Sequence, residues 1–410
     1  MRLSDNCFEI QGIRITDLAN EHGTPVYIYD ADELRQKYDA LTSAFAGIDM
    51  RVKYAMKANA CLAILDYLRT LGAGLDTVSV PEIRMALITG FDPADIVFTP
   101  NMVSFTEIEE AAGLGVKINI ENLSNLEKFG KRFGNQLPCC IRLNPYIVEG
   151  DLSDKVKKWY ASSKFGITLH QFDEIWKIIR KYNIRVNGLH MHASHVIMSD
   201  KLLTRASETV FRLAMDFPHL EYLDLGGGMR VPHGPEEEVL TINDLARIIT
   251  PRFTDLCSRA GKRLQLWFEP GRYLVSGSGI LVTRVMIMKT IGEKKYAGTD
   301  TGFNHLIRPK LYHAWHEVLN LSHPEGKPSA YTIVGNLCED DTFAEDRLIP
   351  QIREGDLLAL LNAGAYGYSM SSQYNARFRP PEVLVRDGKA FLVRKRETLD
   401  DLLRNQHIPG

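Results

Sequence analysis

The sequence predicts an α/β plus β protein: a closed (β/α)₈ barrel of the TIM type, followed by a mostly antiparallel β domain that the N-terminal segment completes. Two observations lead to this fold class. Short apolar runs alternate with amphipathic stretches through the first two thirds of the chain, and beyond Arg272 the pattern becomes almost entirely strand-like. Strands that alternate with helices form parallel sheets, and eight such units favour a closed barrel over an open sheet.

The eight apolar runs, bounded by polar residues or glycine, are the predicted barrel strands. They are Val52–Met56, Gly74–Val78, Ile96–Thr99, Val116–Ile120, Cys139–Leu143, Val186–His192, Tyr222–Leu225 and Leu264–Phe268. Between them lie stretches with the apolar spacing of helices. These are Leu62–Leu71, Pro81–Thr89, Thr106–Leu114, Leu123–Phe133, Leu169–Lys181, Leu202–Asp216 and Ile242–Ala260. Ser104 and Asn122 are residue types that cap helix N-termini, and Pro81 suits a first turn.

Strands dominate the rest of the chain. They are predicted at Ile280–Ile291, Ala330–Val334, Leu357–Leu361 and Glu382–Val385, with a tight Asp387-Gly388 turn after the last. A second hairpin, centred on Gln11-Gly12, is expected to dock on this domain. We therefore predict a barrel of residues 26–272 and a β domain of residues 1–25 and 273–410.

Composition narrows the class of protein. A chain of 410 residues has room for two or three domains, and its net charge of −2 offers no basic surface for nucleic acid or an anionic membrane. Apolar runs such as Gly279–Met286 are too short to cross a bilayer, and the N-terminus lacks the pattern of a signal peptide. Six cysteines without metal-type spacing predict reduced thiols, no metal site and a cytoplasmic location.

Residues that carry chemistry stand at the predicted strand ends, where the active sites of such barrels form. These residues are Lys57, Asp76, Arg142, His192, Gly226, Gly227, Gly228, Glu269, Gly271 and Arg272. A lysine, a histidine, a glycine-rich anion loop, a carboxylate and arginines are thus expected at one mouth.

Several sequence blocks, in this order, resemble the fold-type-III pyridoxal-phosphate-dependent decarboxylases, and among them the diaminopimelate decarboxylases most closely. The blocks are Tyr54–Asn59, Ser163–Ile167, Gly226–Gly228, Glu269–Arg272, Ile307–Tyr312, Cys338-Glu339 and Gly364–Met370. The resemblance covers nearly the whole chain. It implies an alanine racemase-like barrel, pyridoxal 5'-phosphate as cofactor, and conversion of meso-diaminopimelate to L-lysine and CO2.

The resemblance also implies roles at the cofactor. Lys57 would hold the cofactor covalently, because a desolvated amine loses its proton readily. Glu269 would keep a proton on the pyridine nitrogen, and His192 would stack on the ring. The phosphate and ring-substituent contacts are assigned to Asp76, Arg142, Ser194, His195, Gly226, Gly227, Gly228, Gly271, Arg272 and Tyr366. The simpler alternatives are a solvated lysine, a Glu269–Arg272 ion pair, a plain tight loop and a structural histidine.

Other residues are implied for the substrate. Arg308 and Tyr312 match a motif for the distal carboxylate, which a guanidinium binds with two hydrogen bonds. Arg272 and Tyr366 match further phosphate and carboxylate contacts of the family. Glu339 would bind the distal ammonium and Cys338 would donate a proton, both reaching the barrel of a second subunit in a homodimer. The alternative for Cys338 is an inert buried thiol.

Three segments depart from the family pattern: Ala193–His195, Val148–Tyr160 and Asp340–Thr342. The first leaves open whether Ser194 or His195 contacts the phosphate, and all three leave other substrates open. Alternatives are therefore decarboxylation of another amino acid or conjugate and a non-catalytic homologue. A racemase is disfavoured, because racemases of this barrel type place an arginine at the position of Glu269.

Overall fold

The computed structural model describes residues 1–4, 6–146, 154–192, 200–232, 234 and 237–409. Its first unit is a closed ring of eight parallel strands, in which the first strand pairs with the eighth. We number these strands one to eight in chain order. They are Met50–Ala55, Gly74–Thr77, Ile96–Phe98, Lys117–Ile120, Cys139–Asn144, Val186–His190, Tyr222–Asp224 and Gln265–Phe268. The predicted barrel is confirmed, with strand bounds that differ from the predicted ones by one or two residues.

Helices surround the ring. They are Ala31–Ala44, Leu62–Thr70, Val80–Ile88, Phe105–Gly113, Leu123–Phe133, Phe172–Tyr182, Asp200–Ala214 and Ile242–Ala260. A further helix, Asp154–Ser162, and a short strand, Ile167–Thr168, follow strand five. The predicted caps form: the side chain of Asn122 accepts a hydrogen bond from the Asn125 amide at 2.8 Å, and that of Ser104 from the Glu107 amide at 3.3 Å.

The second unit is a mostly antiparallel sheet. Its strands are Val26–Asp30, Gly279–Ile291, Lys294–Thr299, Val318–Asn320, Pro328–Val334, Thr342–Pro350, Leu357–Leu360, Glu382–Arg386 and Lys389–Arg394. Asp387 and Gly388 make the last hairpin turn with φ of 52° and 68°, as predicted for an Asp-Gly pair. The remaining short helices are Ile15–His22, Arg272–Val275, Arg308–Tyr312 and Leu399–Leu403.

The N-terminal segment packs against this second sheet. Its three strands are Arg2–Ser4, Cys7–Ile10 and Ile13–Arg14. The side chain of Gln11, in the predicted hairpin turn, donates to Asp30 Oδ1 at 2.8 Å and accepts from the Gly388 amide at 3.0 Å. Ile10, Ile15 and Leu18 share an apolar cluster with strands of the sheet.

The predicted starting point of the barrel at residue 26 needs a correction. Val26–Asp30 lies inside the second sheet, antiparallel to Gly279–Ile291 and parallel to Glu382–Arg386, and all five of its residues are buried. A strand without polar alternation over Val26–Tyr29 fits the interior of either sheet equally well, so the sequence pattern does not distinguish the two sheets. The division of the chain into two domains itself stays a prediction.

The β domain reaches the mouth of the barrel beside strand one. The backbone amide of Tyr366 and the hydroxyl of Ser369 both donate to the Ala58 carbonyl, at 2.8 and 3.1 Å. The side-chain amide Nδ2 of Asn59 donates to the Gly364 carbonyl at 3.0 Å. The residue next to Lys57 is thereby bonded to the β domain. In the part of the chain that the structure describes, no helix is long and apolar enough to cross a membrane.

Candidate active site

Lys57 and Asp76 stand on neighbouring strand ends and form an ion pair. Lys57 lies in a tight helical turn, Met56–Ala58, directly after strand one, and Asp76 lies in strand two, paired in register with Ala55. The Lys57 Nζ donates to Asp76 Oδ2. Asp76 is fully buried, and its Oδ1 has no hydrogen-bond partner among the described residues.

The charges around Lys57 alter the pKa expected for its side-chain amine. Desolvation alone would lower its pKa, as the sequence argument assumed, but the carboxylates of Asp76 and Glu269 and the hydroxyl of Tyr366 outweigh burial, and the pKa is raised. Burial, together with the nearby charge of Glu269, raises the pKa of Asp76. Asp76 and Glu269 therefore favour the protonated form of Lys57, an effect that the argument from desolvation alone does not include, and the role of Lys57 at the cofactor stays a prediction.

Glu269 follows strand eight and is almost fully buried. Its Oε2 lies 3.2 Å from His190 Nε2, and its Oε1 lies 3.5 Å from the Thr99 hydroxyl. Burial alone would raise the pKa of Glu269, but His190 and Lys57 outweigh it and the pKa is lowered well below its usual value. Glu269 is thus a buried carboxylate that keeps its negative charge.

His192 stands beyond the end of strand six and is held as a neutral ring. Its Nδ1 accepts a hydrogen bond from the Gly227 amide at 3.1 Å, which places its own proton on Nε2. Burial, reinforced by the positive charge of Arg142, lowers the pKa of His192 to about 3. A neutral imidazole suits stacking on an aromatic ring rather than charge pairing.

The glycine-rich loop after strand seven is tightly packed. Gly226 and Gly228 have φ of 68° and 95°, and a Cβ on Gly227 would lie 2.5 Å from the carbonyl oxygen of Glu269. Only glycine fits such a close approach of two backbones. The loop therefore forms a concave backbone surface that the side chain of any other residue would fill.

Two of the three glycine amides have acceptors within the protein, and the phosphate contact of the triplet stays a prediction. The Gly226 amide donates to Asp224 Oδ1 at 2.8 Å, and the Gly227 amide donates to His192 Nδ1. The polar side chains of Asp224 and His192, at or just beyond strand ends, accept these two hydrogen bonds inside the protein. Within the described residues, the Gly228 amide has no acceptor, so it is the one of the triplet that can serve an anion.

Arg142, at the end of strand five, is buried on the same side of the barrel. Its guanidinium carbon lies 4.9 Å from the centroid of the Phe165 ring, in the predicted Ser163–Ile167 block. Burial lowers the pKa of Arg142, while Glu269 and Asp76 offset part of that effect. Arg142 is thus a cation near both carboxylates.

Two arginines and two tyrosines meet where the β domain covers the mouth. The guanidinium carbon of Arg272 lies 5.8 Å from the Tyr366 ring centroid, and that of Arg308 lies 6.0 Å from the same centroid and 5.9 Å from that of Tyr312. Arg308 is 3% exposed, and its Nη1 has no partner in the described part of the chain. Burial and the charge of Arg272 lower the pKa of Arg308 to about 10. Arg308 is thus a buried cation with one guanidinium nitrogen available for an anionic ligand.

One pocket of about 160 Å³ joins most of these groups. It is lined by Ala55, Lys57, His192, Gly227, Gly228, Met229, Arg230, Glu269, Gly271, Arg272 and Tyr366. The lysine, the ionised glutamate, the neutral histidine and the glycine cradle therefore face one space. Such a space fits a planar aromatic ring with a phosphate, held by an amine, a carboxylate and an anion-binding loop.

Cys338 and Glu339 are absent from the lining of this pocket. Cys338 is exposed, and its Sγ lies 3.4 Å from the Tyr374 hydroxyl and accepts from Asn375 Nδ2 at 3.1 Å. These two hydrogen bonds lower the pKa of the Cys338 thiol. The Tyr374 hydroxyl also lies 3.4 Å from Glu339 Oε1. The alternative of an inert buried thiol is wrong: Cys338 is an exposed, activated thiol.

The segment after Glu339 is fixed by Asp341, one of the positions that depart from the family pattern. Its Oδ1 accepts a hydrogen bond from the Phe303 amide at 2.6 Å, and its Oδ2 has no partner among the residues described. Burial raises the pKa of Asp341 to about 6. Ser194 and His195, and the 148–153 part of the substrate loop, lie outside the described residues, so the choice between Ser194 and His195 stays open.

Sequence reasoning missed two residues of the site, His190 and Asp224. Both are completely buried strand residues, paired in register on strands six and seven, and each stands two positions before a predicted site residue, His192 or Gly226. Alternation along a strand places residues two apart on the same face. A polar residue two positions before a strand-end ligand is the signal that could have found them.

The chain was compared with known proteins. Residues 31–276 match the family model described as pyridoxal-dependent decarboxylase, pyridoxal binding domain. The diaminopimelate decarboxylase of Methanothermobacter thermautotrophicus is 40% identical over 98% of this chain and 96% of its own length. That of Vibrio cholerae is 34% identical over 95% of this chain and 94% of its own length.

Solved structures agree with these relatives. The crystal structure of diaminopimelate decarboxylase from M. jannaschii in complex with L-lysine has a TM-score of 0.93 and 30% identity, over 100% of this chain and 98% of that one. The Helicobacter pylori diaminopimelate decarboxylase complexed with L-lysine has a TM-score of 0.85 and 33% identity, over 95% and 98%.

Proposed function

We propose how this barrel mouth works from one premise: the chain belongs to the diaminopimelate decarboxylases, within the pyridoxal-dependent decarboxylase family. It is a carboxy-lyase that uses pyridoxal phosphate and converts meso-diaminopimelate to L-lysine and CO2. The cofactor, when bound, supplies an electron sink for the carbon that loses CO2. The single observation that carries the assignment of roles is that Lys57, Glu269 and the glycine loop line one pocket.

At the cofactor end, the protein groups have separate roles. Lys57 would hold the cofactor through Nζ, and Asp76 would orient that amine and keep its proton close. Glu269, which stays ionised, would hold a proton on the pyridine nitrogen. His192, neutral and fixed by the Gly227 amide, would cover one face of the ring, and the Gly228 amide would contact the phosphate.

At the substrate end, the buried Arg308 and the half-buried Arg272 would bind carboxylate. Arg308 keeps a free Nη1 among the described residues and lies between Tyr312 and Tyr366, so it would take the distal carboxylate in a two-bond contact. Tyr366 would then stand between that carboxylate and Arg272. Because both cations are held at a cost, a dicarboxylic substrate is favoured over a monocarboxylic one.

A second copy of the chain would complete the site. Cys338 and Glu339 lie exposed and outside the Lys57 pocket, although the proposed chemistry needs a proton donor and a partner for the distal ammonium there. A symmetric dimer would present this pair to the partner's pocket, and the partner would return the same contact. The cytoplasmic location likewise stays a proposal; all six cysteines are free thiols.

The substrate is tested by measuring CO2 release from meso-diaminopimelate, L-lysine, L-ornithine and L-arginine by the purified protein with pyridoxal phosphate. We expect meso-diaminopimelate to be preferred in kcat/KM by about a hundredfold or more, the value of a well-matched buried charge contact. Equal release from lysine would contradict the roles of Arg308 and Tyr312.

The shared site is tested by mixing two inactive variants, Lys57→Ala and Cys338→Ala. In a mixed dimer one site carries both changes and the other carries neither, so exchange should restore about a quarter of the wild-type activity. Mixing Lys57→Ala with Glu269→Ala is the matched control and should restore nothing, because both residues line the same chain's pocket. Equal recovery of activity in the two mixtures would contradict an active site shared between two subunits.

A further inference from the structure

Beneath the pocket, His190 and Asp224 form a buried polar layer that contacts Glu269. The two residues are Cα partners on strands six and seven, and both are completely buried. One ring nitrogen of His190 and one carboxylate oxygen each of Asp224 and Glu269 all lie within 4.8 Å of one another. Neither His190 nor Asp224 lines the pocket, so any effect on the cofactor would pass through Glu269 or the glycine loop.

We propose that His190 is a positioning residue that fixes the carboxylate of Glu269 for the ring nitrogen of the cofactor. The contact of 3.2 Å joins His190 Nε2 to Glu269 Oε2, and an ionised carboxylate can only accept. The imidazole therefore carries a proton on Nε2 and donates it. One carboxylate oxygen is then bonded inside the protein, which fixes the plane of the group and leaves Oε1 for a second donor.

Asp224 makes this donation specific to Glu269. Burial, together with the neighbouring charge of Glu269, raises the pKa of Asp224 well above its usual value, so of the two carboxyl groups Asp224 keeps the proton and Glu269 keeps the charge. Asp224 Oδ1 is already engaged, since it accepts the Gly226 amide at 2.8 Å. The layer thus links the carboxylate at one end of the pocket to the glycine loop at the other.

The inference deepens the proposed function and rests on the role given there to Glu269. Without the His190 donor, a buried carboxylate would lose its charge-assisted hydrogen bond and its preference for the ionised form. A cofactor whose ring nitrogen must carry a proton would then be bound no more tightly than one with a C–H group at that position. The quantity to measure is therefore the preference of the protein for a ring nitrogen.

The experiment compares the dissociation constants of cofactor-depleted protein for pyridoxal phosphate and for 1-deazapyridoxal phosphate, which has a C–H group in place of the ring nitrogen. His190→Gln keeps an N–H near the position of Nε2, whereas His190→Met has similar length and no donor. We expect wild type and His190→Gln to share the same preference to within about threefold, and His190→Met to lose about tenfold, the loss of one hydrogen bond to a charged group.

The outcomes separate the two claims. If wild type binds both compounds equally, the role of Glu269 fails. If wild type prefers pyridoxal phosphate and His190→Met keeps that preference, or if His190→Gln loses as much as His190→Met, the positioning role of His190 is overturned. Should His190→Met not fold, His190→Asn replaces it, because its shorter amide ends too far from Glu269 and should lose the same factor.

Discussion

Replacing Arg308 by methionine should make the unliganded protein more stable and the enzyme much weaker. The side chain is almost fully buried, and both this burial and the nearby positive charge of Arg272 lower the pKa of Arg308. Methionine has a similar length and fills the space with an apolar chain. Stability and catalysis are thus expected to change in opposite directions.

The size of the stability effect follows from the pKa of Arg308. Burial and Arg272 lower that pKa from 12.5 to about 10, which corresponds to roughly 3 kcal/mol of cost for keeping the charge in the folded protein. After relaxation of the pocket, we expect a gain of about 1–3 kcal/mol in the free energy of unfolding. Loss of the carboxylate contact should lower kcat/KM for meso-diaminopimelate by about 30- to 1000-fold.

Both quantities are accessible in the same preparation. Urea denaturation of the unliganded protein gives the free energy of unfolding, and CO2 release gives kcat and KM. Lys310→Met is the matched control: Lys310 lies in the same short helix and pairs with Asp340 at 3.8 Å on the surface, where such pairs contribute little. A destabilised Arg308→Met protein, or one with unchanged kcat/KM, would refute the reasoning.

Two further changes test the pocket and the Asp341 anchor. Gly227→Ala should lower the affinity for pyridoxal phosphate about tenfold or more, since its Cβ would lie 2.5 Å from the Glu269 carbonyl oxygen; Gly113→Ala, with no atom within 4 Å of the added Cβ, is the control, and equal affinity losses would contradict the clash. For Asp341 the carboxyl group loses its proton near pH 3.8 when unfolded and near pH 6 when folded. The folded state therefore binds the extra proton between these values, and the free energy of unfolding should fall by roughly 2 kcal/mol as the pH rises from about 4 to 6. Asp341→Asn should remove that decline in urea denaturation at stepped pH, and an unchanged slope would show that the decline has another source.

Much of the fold could be predicted because the repeating pattern is strong. The helices Leu123–Phe133 and Ile242–Ala260 have the predicted bounds, since capping residues mark their starts and glycine their ends. Val26–Asp30 was placed in the wrong sheet because an entirely buried strand has no alternation to show which surface it meets. Pairing partners some 250 residues away leave no local trace.

The candidate site residues could be predicted from the sequence, but their protonation states and hydrogen-bond partners could not. Lys57 ends a strand in an apolar context, which suggests an easily deprotonated amine, and only the position of Asp76 across the neighbouring strand reverses that. The glycine triplet indicates a close backbone approach, while the acceptors of its amides, Asp224 and His192, depend on strand register. Electrostatics of this kind comes from tertiary neighbours rather than from motif identity.

The position of Val26–Asp30 has a consequence for biosynthesis. This strand is made before the whole barrel, yet its two sheet partners, Gly279–Ile291 and Glu382–Arg386, are made after it. On the ribosome this strand, apolar or aromatic in its first four residues, must therefore remain with both edges unpaired while the barrel is synthesised, a state in which strands tend to pair wrongly. Tyr366, which bonds to Ala58 and lines the pocket, is likewise made after the whole barrel, so the pocket is complete only once most of the β domain has been synthesised.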